Sequence, residues 1–122
     1  MTGLTIGESQ ATLDARFPTT GGTDYVAWSI NGTTEFASLA RTAIGATGWA
    51  AATAADPSIK ANAVALTSAA ASGAGTVGWF AIYNASTAGT QRVDWTALTT
   101  AKAVTTGDQL TAAIGAIAIT LT

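Results

Sequence analysis

Three carboxylates stand where a small protein would hold reacting groups: Asp24 at the head of a strand-like run, Asp94 inside another, and Asp108 in a Thr-Gly-Asp turn. Two carboxylates at the right separation would serve as acid and base in glycoside hydrolysis. The chain has seven acidic residues, so scattering alone brings some pair together, and turn formation and surface solvation account for them more simply. Other reactive constellations are closed off, because the chain contains neither His nor Cys. The common zinc ligand sets and the nucleophile–histidine pairing therefore cannot form. Gly73-Ala74-Gly75 resembles a fragment of a phosphate loop but lacks the lysine and the following helix that would present backbone N–H groups to a phosphate. No catalytic residue, cofactor or metal ligand is expected, and the chain reads as a non-enzyme.

The four tryptophans are the next candidates, for a sugar-stacking or aromatic platform. Trp28, Trp79 and Trp95 fall in period with buried strand positions, so a core role fits them better. Trp49, between Gly48 and a run of alanines, is the least constrained and is expected at a subunit interface, where a large amphipathic ring is useful. Asn31-Gly32-Thr33 and Asn84-Ala85-Ser86 match the glycosylation acceptor pattern. The N-terminus has neither a basic n-region nor an apolar h-region, so these are read as turns that happen to fit. The pairs Thr33-Thr34, Thr99-Thr100 and Thr105-Thr106 are likewise read as turns rather than as a regular water-ordering column.

The elements that position these residues follow from composition and period. A chain of 122 residues is expected to fold as one compact globule burying about two-thirds of its unfolded surface. Net charge is −2, and the five basic residues are scattered, which argues against nucleic acid as a partner. Residues 61–91 carry no charge, but Asn, Thr, Ser and Gly interrupt them throughout. Strands joined by a loop explain this stretch better than a membrane span. The protein is expected to be made in a host cytoplasm without membrane association.

Residues 9–17 have helical propensity, with Leu13 and Phe17 spaced to share a face before Pro18 ends the run. This predicts a short helix or arm over 1–22, followed by a β domain over 23–122. Within the latter, Val26, Trp28 and Ile30 alternate with Tyr25, Ala27 and Ser29, and Asn31-Gly32 follows as a hairpin signal, with 36–44 as the returning strand. Further strands are expected at 62–67, 76–83, 91–98, 102–105, 109–113 and 116–121. Both faces of 76–83 are partly apolar, which marks it as central. About eight or nine short strands between turns predict an all-β fold, an antiparallel β-sandwich of jelly-roll type.

At residues 75–90, GTVGWFAIYNASTAGT, the chain resembles a group of small tailed-bacteriophage virion proteins labelled tail-fibre-like or capsid decoration proteins. Similar segments recur at 95–110 (WTALTTAKAVTTGDQL), in the closing 113–121 (AIGAIAITL), and upstream at 25–29 and 39–44. Thr87-Ala88-Gly89 stands where the family usually carries paired glycines. The resemblance implies a β-sandwich virion component with no enzymatic residues to carry over. The reading it supports first is a capsid decoration (cement) protein that binds the assembled shell, with the major capsid protein as partner and a homo-oligomer, a trimer for preference. Binding only the assembled shell would stabilise it by mass action. The alternative is a tail adaptor or fibre-base protein involved in host attachment, with loops such as 68–74 or 86–89 making the contacts. The interface expected from the arm comprises Leu4, Ile6, Leu13 and Phe17, together with Trp49.

Overall fold

A computed structural model describes residues 5–55 and 57–121. Its elements are α1 (Ile6–Arg16), β1 (Tyr25–Ser29), β2 (Thr42–Ala43), β3 (Ser58–Ala61), β4 (Leu66–Thr67), β5 (Gly75–Tyr83), β6 (Gln91–Val104), β7 (Thr111–Ala112) and β8 (Ala118–Leu121). Every strand pairing is antiparallel, in one four-stranded sheet ordered β2-β1-β5-β6 and two ribbons, β3-β8 and β4-β7. The protein is thus all-β with one short N-terminal helix.

The chain divides into two compact units; one division falls after Gly22, but the residues that follow are shared between the two units. One unit gathers the described residues up to Gly22 with Ile44–Ala65 and those from Ala113 onward; the other holds Thr23–Ala43 and Leu66–Ala112. The helix belongs to the first unit as a packed element and is no free arm. Thr5 caps it, its Oγ1 accepting from the Glu8 N–H at 3.3 Å. Ser9 and Leu13 are buried, and the Gln10 side-chain amide donates to the Ala52 carbonyl at 3.1 Å. The Asp14 carboxylate accepts from the Ala52 N–H at 2.9 Å and from the Lys60 ammonium at 2.8 Å.

Asn62 organises the other end of this unit. Its side-chain amide donates to the Val64 and Ala113 carbonyls, its Oδ1 accepts from the Ile117 N–H, and its backbone bonds to Ile117 and Gly115. Buried at 1% exposure, Asn62 needs each of these partners, since an unmade bond there would cost a full desolvation.

In the second unit β5 is central, as its two apolar faces predict. Trp28 pairs with Phe80 and Val26 with Ile82, and all four are buried on one face of the sheet. The Trp28 indole N–H donates to Thr42 Oγ1 at 3.2 Å, satisfying the ring's one polar atom. The strands expected at 91–98 and 102–105 form a single strand, β6, of 14 residues against nine in β5. The excess is taken up in three irregularities. The largest sets residues 98–101 against Gly78 alone, between the pairs Trp79↔Ala97 and Val77↔Lys102. Thr99-Thr100 therefore lies in a bulge rather than a turn. β6 forms the sheet edge, and irregularities of this kind blunt an edge against further strand addition.

The Asn31-Gly32 hairpin does not form as expected. Residues 31–41 run as a wide loop that touches β1 through one backbone bond, the Phe36 N–H to the Trp28 carbonyl at 2.7 Å, and Thr42–Ala43 return to form the strand pairing with β1. Side chains capture the loop backbone first: Ser29 Oγ accepts from the Asn31 and Gly32 N–H groups, and Asn31 Oδ1 accepts from those of Thr33 and Thr34. Of the strand expected at 62–67 only Leu66–Thr67 forms, paired with β7, while the longer strand Ser58–Ala61 lies just upstream, paired with β8, and Asn62 stands between the two.

Candidate interaction face

The face of the four-stranded sheet opposite Val26 and Trp28 carries Tyr25, Ala27 and Ser29 from β1 and Trp79, Ala81 and Tyr83 from β5. Trp95 joins them from β6, its ring 6.4 Å from that of Tyr83 and inclined at 56°. Tyr25, Trp79, Tyr83 and Trp95 are all half-buried, so Trp79 and Trp95 are less enclosed than a core reading of the sequence predicts.

Two of these rings are already covered from within the chain. A Cβ placed on Gly32 would lie 2.9 Å from the Trp79 indole, and Gly32 has φ +75°, so both the close approach and the backbone conformation require glycine. Over Tyr83 lies the Arg41 guanidinium, 3.8 Å from the ring centroid.

Arg41 is the organising group of this face. It meets Glu35 through a two-pronged ion pair, Nε to Oε2 and Nη2 to Oε1, both 2.9 Å. Its Nη1 donates to the Ala85 carbonyl at 2.9 Å and the Ala88 carbonyl at 2.7 Å. The side chain is 6% exposed, so one buried fork ties loop 31–41 to the β5–β6 loop at 84–90. The second loop is closed by Asn84, whose Oδ1 accepts from the Thr90 N–H at 2.8 Å. Ala88 is the one described non-glycine residue with positive φ (+51°), and its carbonyl is one that Arg41 holds. What these loops show outward is neutral and polar: Asn31, Thr33, Thr34, Asn84, Ser86, Thr87 and Thr90 are exposed. With Arg41 neutralised by Glu35, the surface suits contact through amides and hydroxyls rather than through charge.

The carboxylates singled out in the sequence have structural partners or surface positions. Asp24 is buried and paired with Arg92; Asp108 accepts from the Thr105 N–H and hydroxyl; Asp94 is exposed beside Trp95. Among the described residues no group of three or more acidic side chains could hold a metal ion, and no helix is long and apolar enough to cross a membrane.

The residues expected to form a subunit interface lie elsewhere, in the first unit. Leu13, Phe17 and Trp49 are buried there, with Phe17 and Trp49 edge to face at a centroid distance of 5.4 Å and Trp49 bridged to Asn62. Their side chains fill the core of their own unit because the helix packs down instead of reaching outward. Ile6 is exposed at 43%, and Leu4 lies outside the described residues. Sequence reasoning missed Arg41 and Glu35, six positions apart in a loop with no periodicity, and Lys60, whose partner is 46 residues away.

Comparison with known proteins adds a family to this geometry. No curated protein matches the chain. The model of the family described as Podophage GP4 fiber I protein gp80 matches residues 10–120, which takes in the helix from Gln10 onward, both loops and all but the last residue of β8. The chain therefore belongs to the podophage GP4 fiber I protein gp80 family.

Proposed function

We propose that this virion structural protein is a non-enzymatic tail fibre or fibre-base component that meets its partner through loops 31–35 and 84–90. The observation that carries this reading is the buried Arg41 fork. It holds two exposed neutral loops in one fixed arrangement, as a recognition surface on a rigid scaffold requires. The family description, a fibre protein, supports the tail over the shell. Loop 86–89 is also among those that the sequence offers for host contact. Virions carrying Ser86→Tyr and Thr87→Tyr should adsorb to host cells measurably more slowly while containing normal amounts of the protein. Unchanged adsorption would count against the loops as the contact.

A capsid decoration role is the second reading, supported by the low charge and the small residues exposed along β6, among them Ala97, Thr99, Thr100, Ala101 and Ala103. Small side chains of this sort allow close approach to a flat protein surface. Under that reading the major capsid protein is the partner and the copy number follows the shell.

A further inference from the structure

Asn31-Gly32 is the dipeptide in which a main-chain nitrogen most readily attacks the preceding side-chain amide, since glycine has no Cβ to obstruct the approach. Here each atom that would take part is engaged. The Gly32 N–H, source of the nucleophile, donates to Ser29 Oγ at 2.9 Å. The Asn31 side-chain NH₂ donates to Thr34 Oγ1 at 3.0 Å, while its Oδ1 accepts from the Thr33 and Thr34 N–H groups at 2.9 and 3.0 Å. Ser29 is fully buried, and its own hydroxyl donates to the Thr34 carbonyl at 2.6 Å. Gly32 is packed against Trp79, where a Cβ would lie 2.9 Å from the indole, so the ring leaves the turn little room on that side.

We propose that Asn31-Gly32 is a gated deamidation site, closed while Ser29 holds the Gly32 N–H and open when the loop lifts from Trp79. In the open state the deprotonated Gly32 nitrogen bonds to Asn31 Cγ. The Cγ–Nδ2 bond breaks, and the amide nitrogen leaves as ammonia with the proton taken up. Water then opens the five-membered succinimide at either carbonyl, giving aspartate or isoaspartate, with no oxidant or reductant involved. Either product loses the NH₂ donor to Thr34. Isoaspartate also lengthens the main chain by one methylene, so Gly32 no longer registers with Trp79. The site is thus a chemical clock on the loop that precedes Glu35 and Arg41, and this inference holds whatever the loop binds.

The test is peptide mapping of the intact protein after incubation at mildly alkaline pH, native and in unfolding urea, with Asn84 (followed by alanine) as the control in the same digest. Conversion at residue 31 should be at least about ten-fold slower in the native protein, as expected when more than one hydrogen bond must break first. Ser29→Ala, with its near-ultraviolet dichroism retained, should recover most of the unfolded rate. In the wild type the native rate should also rise with urea below the global unfolding transition, which keeps the gate testable if the variant fails to fold. Equal native and unfolded rates would overturn the proposal. So would a folded Ser29→Ala as slow as wild type, or conversion that tracks only global unfolding.

Discussion

Replacing Asp14 by alanine would strand a buried ammonium. Lys60 is 0% exposed and sits on β3 with the Asp14 carboxylate 2.8 Å from its nitrogen, while the Asp14 side chain itself is 40% exposed. The two ends of this pair therefore contribute differently. Solvent screens the carboxylate, so the attraction alone is modest. The cost of removing it lies in leaving Lys60 without its counter-charge, and one-sided disruption of a buried pair costs about 3–5 kcal/mol. With one partner at the surface the lower end applies, about 3 kcal/mol, or a fall in Tm of about 10 °C for a domain of this size. Urea unfolding of Asp14→Ala, Lys60→Met and the double variant reads this directly. The double variant should regain most of the loss, because an apolar side chain of similar length replaces the buried charge. Asp14→Ala within about 0.5 kcal/mol of wild type would refute the reasoning, as would a double variant no more stable than the single one, since surface changes stay within that range.

The same pair fixes the sign of a pH dependence. The Lys60 ammonium, foremost, and then the Ala52 N–H hold the Asp14 carboxyl below its ordinary value. A carboxyl lowered on folding contributes stability that is complete above its unfolded pKa, about 3.9. That contribution is lost as pH falls through the lower folded value. The acid limb of the stability profile should therefore flatten in Asp14→Asn.

Four further outcomes follow from the loops and the Asn62 hub. Arg41→Lys gives up the two-pronged grip on Glu35 and should cost about 2 kcal/mol in urea unfolding, with faster amide exchange at 84–90. Gly89→Ala, at φ +73° and with its new Cβ 2.5 Å from Asn84 Oδ1, should lose about 1–3 kcal/mol. Its neighbour Ala88, already at φ +51°, should gain or lose under about 1 kcal/mol on change to glycine, because relief of strain and added unfolded-state entropy oppose each other. Asn62→Ala should cost about 3 kcal/mol or more, since the Val64 and Ala113 carbonyls and the Ile117 N–H all lose their partner.

What the sequence discloses and what it conceals divide along physical lines. The central position of β5 is readable because residues on both its faces are apolar, and the helix because Leu13 and Phe17 recur at helical spacing. The wide loop after β1 is hidden because Asn-Gly signals a tight hairpin only when neighbouring side chains leave the backbone alone, and here Ser29 and Asn31 do not. β3 buries Ser58 and Lys60 and exposes Ile59, the reverse of ordinary patterning, and it makes sense only once Asp14 has arrived from the helix. Leu13, Phe17 and Trp49 suit a partner's surface and their own core equally well by residue type. The choice between the two was made by the docking of α1, which no local signal announces.

The central claim, that this chain serves in the fibre rather than on the shell, is tested most directly by counting its copies. Quantitative mass spectrometry of purified virions against the major capsid protein should find few copies per particle, in a small multiple set by the number of fibres. Copies in simple ratio to the capsid protein would contradict the fibre assignment and place the protein on the shell. Absence from purified particles would contradict both.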